Sequence, residues 1–258
     1  MKSWKRGLLL GLLVAGLAGC PEEPADPGTP LAAEGGAATA PAPPPLEGKL
    51  LLKGTVHFEG EAPARVKLDR RSDPVCAKTD AYAEEVLVAD GKLANVVVTI
   101  SDPRLPKKTA SEELTIGQAA CLYRPRVQCG LDGQVVRITN SDPTLHNVHG
   151  FREGGARSWF NQAQLQGAPA IRKKLKGPEV AVFKCDIHTW MAAYVRVTES
   201  GHCAVTTPDG RYALPGLPPG TWMVTAWHEV YGEQQAEITL VEGEEAHLDF
   251  KFGPADGP

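Results

Sequence analysis

Apolar and polar positions alternate along this chain after residue 48, and no stretch of ten or more residues keeps the 3.6-residue period of an amphipathic helix. Leu50-Leu51-Leu52-Lys53-Gly54-Thr55-Val56-His57-Phe58 predicts a strand, and the β-branched run from Leu93 to Ile100 a second. Gly133 to Asn140 and Tyr194-Val195-Arg196-Val197 read the same way in the middle of the chain. Further on, Thr221 to His228, Ala236 to Val241 and Ala246 to Phe252 add three more strands. The run Pro215-Gly216-Leu217-Pro218-Pro219-Gly220 predicts a loop. The one helical turn expected lies between Ser158 and Gln166. The pattern predicts an all-β protein.

The first 47 residues do not share it. Met1 to Arg6 is basic and leads into an apolar run from Gly7 to Leu17, too short for a permanent membrane span but right for a secretory leader. It ends in Leu17-Ala18-Gly19-Cys20, which resembles a bacterial lipobox. That makes 1–19 a lipoprotein signal peptide and Cys20 the lipidated N-terminus. Residues 20–47 are rich in Pro and Ala and carry no core-forming pattern, so they predict an extended tether. Losing Lys2, Lys5 and Arg6 with the leader leaves 24 basic against 31 acidic residues, and nothing in that balance suggests nucleic-acid binding. The basic run Arg172-Lys173-Lys174-Leu175-Lys176 reads as a solvated hairpin.

Chemistry concentrates in Cys185-Asp186-Ile187-His188-Thr189-Trp190-Met191, a C-x2-H-x2-M run. Singly, a cysteine or a methionine is most often core filler. Together they place a thiolate, an imidazole and a thioether within seven residues. Two His and one Cys with a weak axial Met is the donor set of a blue-copper site. The missing histidine is available in Asn140-Ser141-Asp142-Pro143-Thr144-Leu145-His146-Asn147-Val148-His149. His149 rivals His146, but residues an odd number apart on one strand face opposite sides, so both cannot meet one metal. His57, His202 and His247 read as surface residues, and His228 is assigned no role.

These segments resemble the ligand motifs of cupredoxins, the plastocyanin, azurin and amicyanin family. His146-Asn147-Val148 matches the first motif, and Cys185, His188 and Met191 match the second; the short loop and the compact interval are most similar to amicyanin. The resemblance covers about residues 112–199. It implies one mononuclear type 1 copper ion held by His146, Cys185, His188 and Met191. It also implies that Asn147 braces the Cys185 loop, and that His188 reaches the surface through an apolar patch of Ile187, Trp190 and Phe151. The wider arrangement, from Cys121-Leu122-Tyr123-Arg124-Pro125 onward, resembles plastocyanin-like bacterial envelope proteins, in which a His is expected where this chain has Arg126.

Gly210-Arg211-Tyr212 followed by Leu217-Pro218-Pro219-Gly220-Thr221 resembles a carboxypeptidase-regulatory, transthyretin-like β-sandwich. Residues 200–254 are short for a whole sandwich. Either 48–105 supplies the first half, with a cupredoxin Greek-key sandwich at 106–199 inserted, or the two domains follow one another.

With Cys20 lipidated and Cys185 kept for metal, Cys76, Cys121, Cys129 and Cys203 remain, an even set in an oxidising compartment. Three connectivities are open to them; the pairing expected is Cys76–Cys121 with Cys129–Cys203. The functional expectation is a non-enzymatic, lipid-anchored copper protein of the bacterial cell envelope, facing the periplasm or the exterior. It would carry single electrons to or from a redox protein such as a cytochrome. The alternative is a non-redox envelope lipoprotein that binds copper, a partner or a polysaccharide.

Overall fold

A computed structural model describes residues 48–254, and the leader, Cys20 and the tether lie outside them. The regular secondary structure of the described residues is almost entirely strand, with 3-10 turns at Cys76–Lys78 and Glu153–Gly155. None of their helices is long and apolar enough to cross a membrane.

Strands pair into four sheets that enclose two hydrophobic cores. The first core is discontinuous in sequence. Leu52, Val56 and Phe58 reach it from the strand Leu50–Phe58, and Val98 and Ile100 from Val97–Ile100. The chain then leaves after Leu105 and returns with Tyr212, Leu214, Trp222, Val224 and Phe252. Leu50–Phe58 is the spine of one sheet. It pairs antiparallel with Arg211–Leu217 and Lys92–Leu93, and parallel with Ala246–His247 and Phe250–Phe252. The opposing sheet sets Val97–Ile100 between Cys203–Val205 and Gly220–His228, with Gly232–Leu240 at its edge.

The second core is built from residues 116–197, with Cys76 joining from outside. One sheet runs in the order Arg157–Gln164, His146–Arg152, Glu179–Lys184, Ala192–Thr198, Val127–Leu131. The other runs Ile171–Lys174, Val135–Asn140, Leu114–Ala119, Leu122–Arg124. Alternation selects what is inside: Val136 and Ile138 from one sheet meet Val148, Ala181 and Phe183 from the other.

Four expectations are corrected. The run Leu93–Ile100 is not one strand: Asn95 takes φ 61°, and the chain there passes from one sheet to the other. Asparagine tolerates that left-handed turn better than the β-branched residues around it. The helical turn expected after Ser158 is the edge strand Arg157–Gln164, paired along its length with His146–Arg152 and bulged near Ser158 and Phe160. Pro215 and Gly216 continue the strand Arg211–Leu217, their irregular register falling opposite Leu50 and Leu51. His202 is buried rather than exposed, because it follows the turn that carries the chain back into the first sandwich.

Two disulfides bridge the sandwiches, Cys76–Cys121 and Cys129–Cys203. Between them lies a buried ion pair: Arg126 donates from Nε and Nη2 to Glu229 at 2.6 and 2.5 Å. The departure from His at position 126 thus has a structural use. Burial pushes the Glu229 carboxyl upward against the pull of Arg126, as expected where attraction little more than repays desolvation. Such a pair fixes how the sandwiches meet more than it stabilises them. Arg126→Met should cost about 3 kcal/mol or more by stranding Glu229, and Arg126→Met with Glu229→Leu should restore most of it. Denaturant unfolding of the two variants checks this.

His228 stands beside that pair, fully buried and stacked on Tyr231. Its Nδ1 accepts from the amides of Val230 and Tyr231, while Nε2 meets no polar partner. Burial, helped by the charge of Arg126, brings its pKa down to about 4. The folded state therefore keeps His228 neutral at pH values where the unfolded chain is already protonating. Stability present above about pH 6.5 is lost as pH falls toward 4, by about 3 kcal/mol from this residue. Burial lowers His146 and His202 in the same direction. A His228→Asn chain should accordingly show a flatter, not a flat, fall in stability between pH 7 and pH 4.

Candidate metal centre

His146 opens the strand His146–Arg152, one residue after the bend at 142–144. Its ring enters the second core with no exposed surface, and Val148 follows it inward. His149 lies on the other face. There Nδ1 meets Asp186 at 3.1 Å and Nε2 meets Ser158 Oγ at 2.9 Å. Phe151 stacks on His149 on that outer face, away from the core. The parity of the strand separates the two histidines.

Cys185 follows the strand Glu179–Lys184 and shares the inner face of Ala181 and Phe183. It is buried and the free cysteine of the described residues. A tight turn then brings His188 back over it: the His188 amide donates to Cys185 Sγ at 3.4 Å, and Met191 N donates to His188 O at 2.9 Å. The Cys185 amide donates to Met191 O, closing the loop, and Met191 is fully buried.

One donor atom from each of His146, Cys185 and His188 lies within 4.8 Å of the others. The two Nδ1 atoms stand 2.8 Å apart, with Cys185 Sγ 3.8 Å from that of His188. The far nitrogens are both occupied. His146 Nε2 is 3.0 Å from Asp142 Oδ2, and His188 Nε2 is 2.9 Å from Asp73 Oδ2. A carboxylate behind each ring fixes its orientation, as is common behind metal-ligating histidines, and the two Nδ1 atoms share a hydrogen bond. Burial alone would raise the Asp73 carboxyl. Hydrogen bonds from Thr144, the Val75 and Cys76 amides and His188 outweigh it and bring the pKa down to about 2. His146 is pushed down by burial, against the opposing pull of Asp142.

Asn147 braces the loop from the neighbouring strand. Its Oδ1 accepts from the Asp186 amide at 2.7 Å, the Ile187 amide at 3.3 Å and Cys185 Sγ at 3.3 Å. Its Nδ2 donates to Asn161 and Asp186. Tyr123 adds a second tie by donating to the carbonyls of Asn147 and Lys184.

The expected exit through His188 is corrected. His188 is only 1% exposed. Asp73 and Cys76, on the segment that leaves the spine strand of the first sandwich, lie against its Nε2, and the Cys76–Cys121 disulfide fastens that segment down. Ile187 is exposed, whereas Trp190 is half-buried and donates Nε1–H to Cys121 O. Asp73, Asp142 and the buried Arg70, which donates to Ala120 O, went unread in the sequence. Asp142 had a signal, four residues before His146 in the quoted run. Asp73 had one only through the pairing of Cys76, three residues on.

Against known families, the model of the carboxypeptidase regulatory-like domain matches residues 191–253, which hold the returning strands of the first sandwich. No curated protein sequence matches the chain. Among solved structures, a purple cupredoxin from Nitrosopumilus maritimus is similar at 22% identity and TM-score 0.30, over 33% of this chain and all of that one. Amicyanin from Paracoccus versutus is similar at 17% identity and TM-score 0.29, over 39% of this chain and 96% of its own. The structural neighbours reported for the chain are cupredoxins. Likeness at that level says nothing about chemistry, and the donor geometry stands by itself.

Asn147→Ala should strip three donors of their acceptor and destabilise the chain by about 2 kcal/mol. Faster amide exchange at Asp186 and Ile187 than at the core strands would locate the loss in the loop.

Proposed function

We propose that this chain is a lipid-anchored type 1 copper protein of the bacterial cell envelope that carries single electrons and has no enzymatic activity. The observation that carries the reading is the meeting of two imidazole Nδ1 atoms and one cysteine sulfur at a buried point, each ring backed by a carboxylate. The donor set fits: His146, Cys185 and His188 would hold the ion and Met191 could add a weaker thioether donor, all four residues being buried. The chemistry copper supplies in such a set is one-electron exchange between Cu(II) and Cu(I). The protein's part is to hold the donors where they already are. Asn147 restrains the Cys185 loop, Asp73 and Asp142 restrain the rings, and the two sandwiches exclude water. Residues 1–19 would direct export and Cys20 would bear the lipid, with residues 20–47 spacing the body from the membrane toward a redox protein such as a cytochrome.

The closed edge at His188 favours a second reading, a non-redox envelope protein that keeps copper. Cu(II) loading of the full chain beside Cys185→Ser tests the first. An intense blue thiolate band with narrow copper hyperfine splitting in EPR is expected, and it should vanish in the variant. A colourless protein, or a spectrum the substitution leaves unchanged, would rule out the type 1 centre. Blue protein that refuses reversible reduction would turn the assignment to copper keeping.

A further inference from the structure

The edges of the two sheets of the inserted sandwich meet at a groove of about 470 Å³, lined by Arg152, Arg157, Trp159 and Arg172 together with Lys173, Lys174 and Lys176. Its titratable lining is all cationic, in a chain whose formal charge is −4. Three of the cations have carboxylate partners: Arg152 with Glu179, Arg157 with Glu153 and Arg172 with Glu113. Among the described residues Lys173, Lys174 and Lys176 have none, so the groove keeps a surplus of positive charge.

Lysine on an edge strand commonly serves only to repel other strands. That purpose gives no reason for the aromatic residues set beneath it. The bulge near Ser158 and Phe160 turns Trp159 and Phe160 together toward the core, with their rings 5.0 Å apart. Both reach Phe183, each at 6.4 Å between centroids. Gly150 lies between Phe160 and Phe183 in the register and makes room: a Cβ there would fall 2.4 Å from Phe160 Cε1. Phe183 is fully buried and two residues before Cys185 on the same strand face. On the solvent side, the Arg152 guanidinium lies 4.6 Å from the Trp159 ring centre and Lys173 Nζ 4.5 Å from that of Phe160. An unbroken aromatic contact thus leads from the strand that bears the thiolate to a cationic surface, while the His188 edge is covered.

Resting on the copper reading above, we propose that this groove is the docking face for an acidic redox protein, with Trp159, Phe160 and Phe183 as the contact through which the electron passes. In the forward direction one electron leaves the reduced Cu(I) site and reduces the partner's one-electron centre, restoring Cu(II). An acidic partner fits because the surplus charge would steer its approach and raise the association rate at low salt.

Two anionic probes test it on the full chain. The paramagnetic anion hexacyanochromate(III), added to the metal-free protein at low ionic strength, should broaden amide signals at Ser158–Phe160 and Arg172–Lys176. The triple variant Lys173→Glu, Lys174→Glu, Lys176→Glu should lose that broadening. With copper bound and reduced to Cu(I), oxidation to Cu(II) by hexacyanoferrate(III), which takes up one electron to become hexacyanoferrate(II), should slow about tenfold or more in the triple variant. Exchange with the cationic hexaammineruthenium couple should not slow. Trp159→Leu should keep the broadening yet slow the hexacyanoferrate reaction. Broadening elsewhere on the surface, or none, overturns the docking face whatever the copper result. Broadening at the groove with exchange rates untouched by both variants overturns the electron role and assigns the groove to a polyanion. Absence of the blue band is read before any rate; it removes the copper reading, and the electron role with it, without altering what the first probe says of the groove.

Discussion

Asp73 Oδ2 rests 2.9 Å from His188 Nε2, and that contact couples the two sandwiches. Asp73 belongs to a segment that leaves the first sandwich after Phe58, while His188 sits on the donor loop of the second. The pair forms because one sandwich is threaded into the other. A chain that departs after Leu105 and returns at Cys203 must keep the inserted body close to its host, and a host segment can then fold across the donor loop. The Cys76–Cys121 disulfide makes that fold-over permanent in an oxidising compartment.

The consequence for the site is a closed, polar frame around soft donors. Each histidine is held from behind by a carboxylate, and the cysteine is held by Asn147. Arg70, buried near Asp73 and Asp142, offsets part of their negative charge. Restraint of this kind holds the donor side chains in one arrangement, which would lower the reorganisation that the proposed redox change requires. It also shuts the edge of His188 from solvent, so the proposed electron carrier would need another face. The bulged edge strand with its two aromatic residues offers one.

At the junction, Arg126 and Glu229 hold the two bodies in register from a dry position. A buried ion pair contributes little net stability, but its fixed geometry disfavours other arrangements of the same surfaces. Tyr194 against Trp227, with ring centres 5.6 Å apart, and the Cys129–Cys203 disulfide act at the same seam.

Much of this was legible in the sequence because it depends on local order. Period-two patterning gave the β class, since a half-buried strand must alternate. The same parity separated His146 from His149, as they lie on one strand three residues apart, while the choice of His146 as the inward one rested on the cupredoxin resemblance. The C-x2-H-x2-M spacing fits one tight turn, so Cys185, His188 and Met191 are brought close by local backbone hydrogen bonds before Asn147 braces them. Only the tertiary structure decided what depends on residues far apart in the chain. Asp73 and His188 are 115 positions apart and Arg126 and Glu229 are 103, and no local pattern relates them. The burial of His202 and His228, the break at Asn95 and the covering of His188 follow from which sheet each segment joins. That is settled by long-range burial and pairing, not by the residues next to each one in the chain.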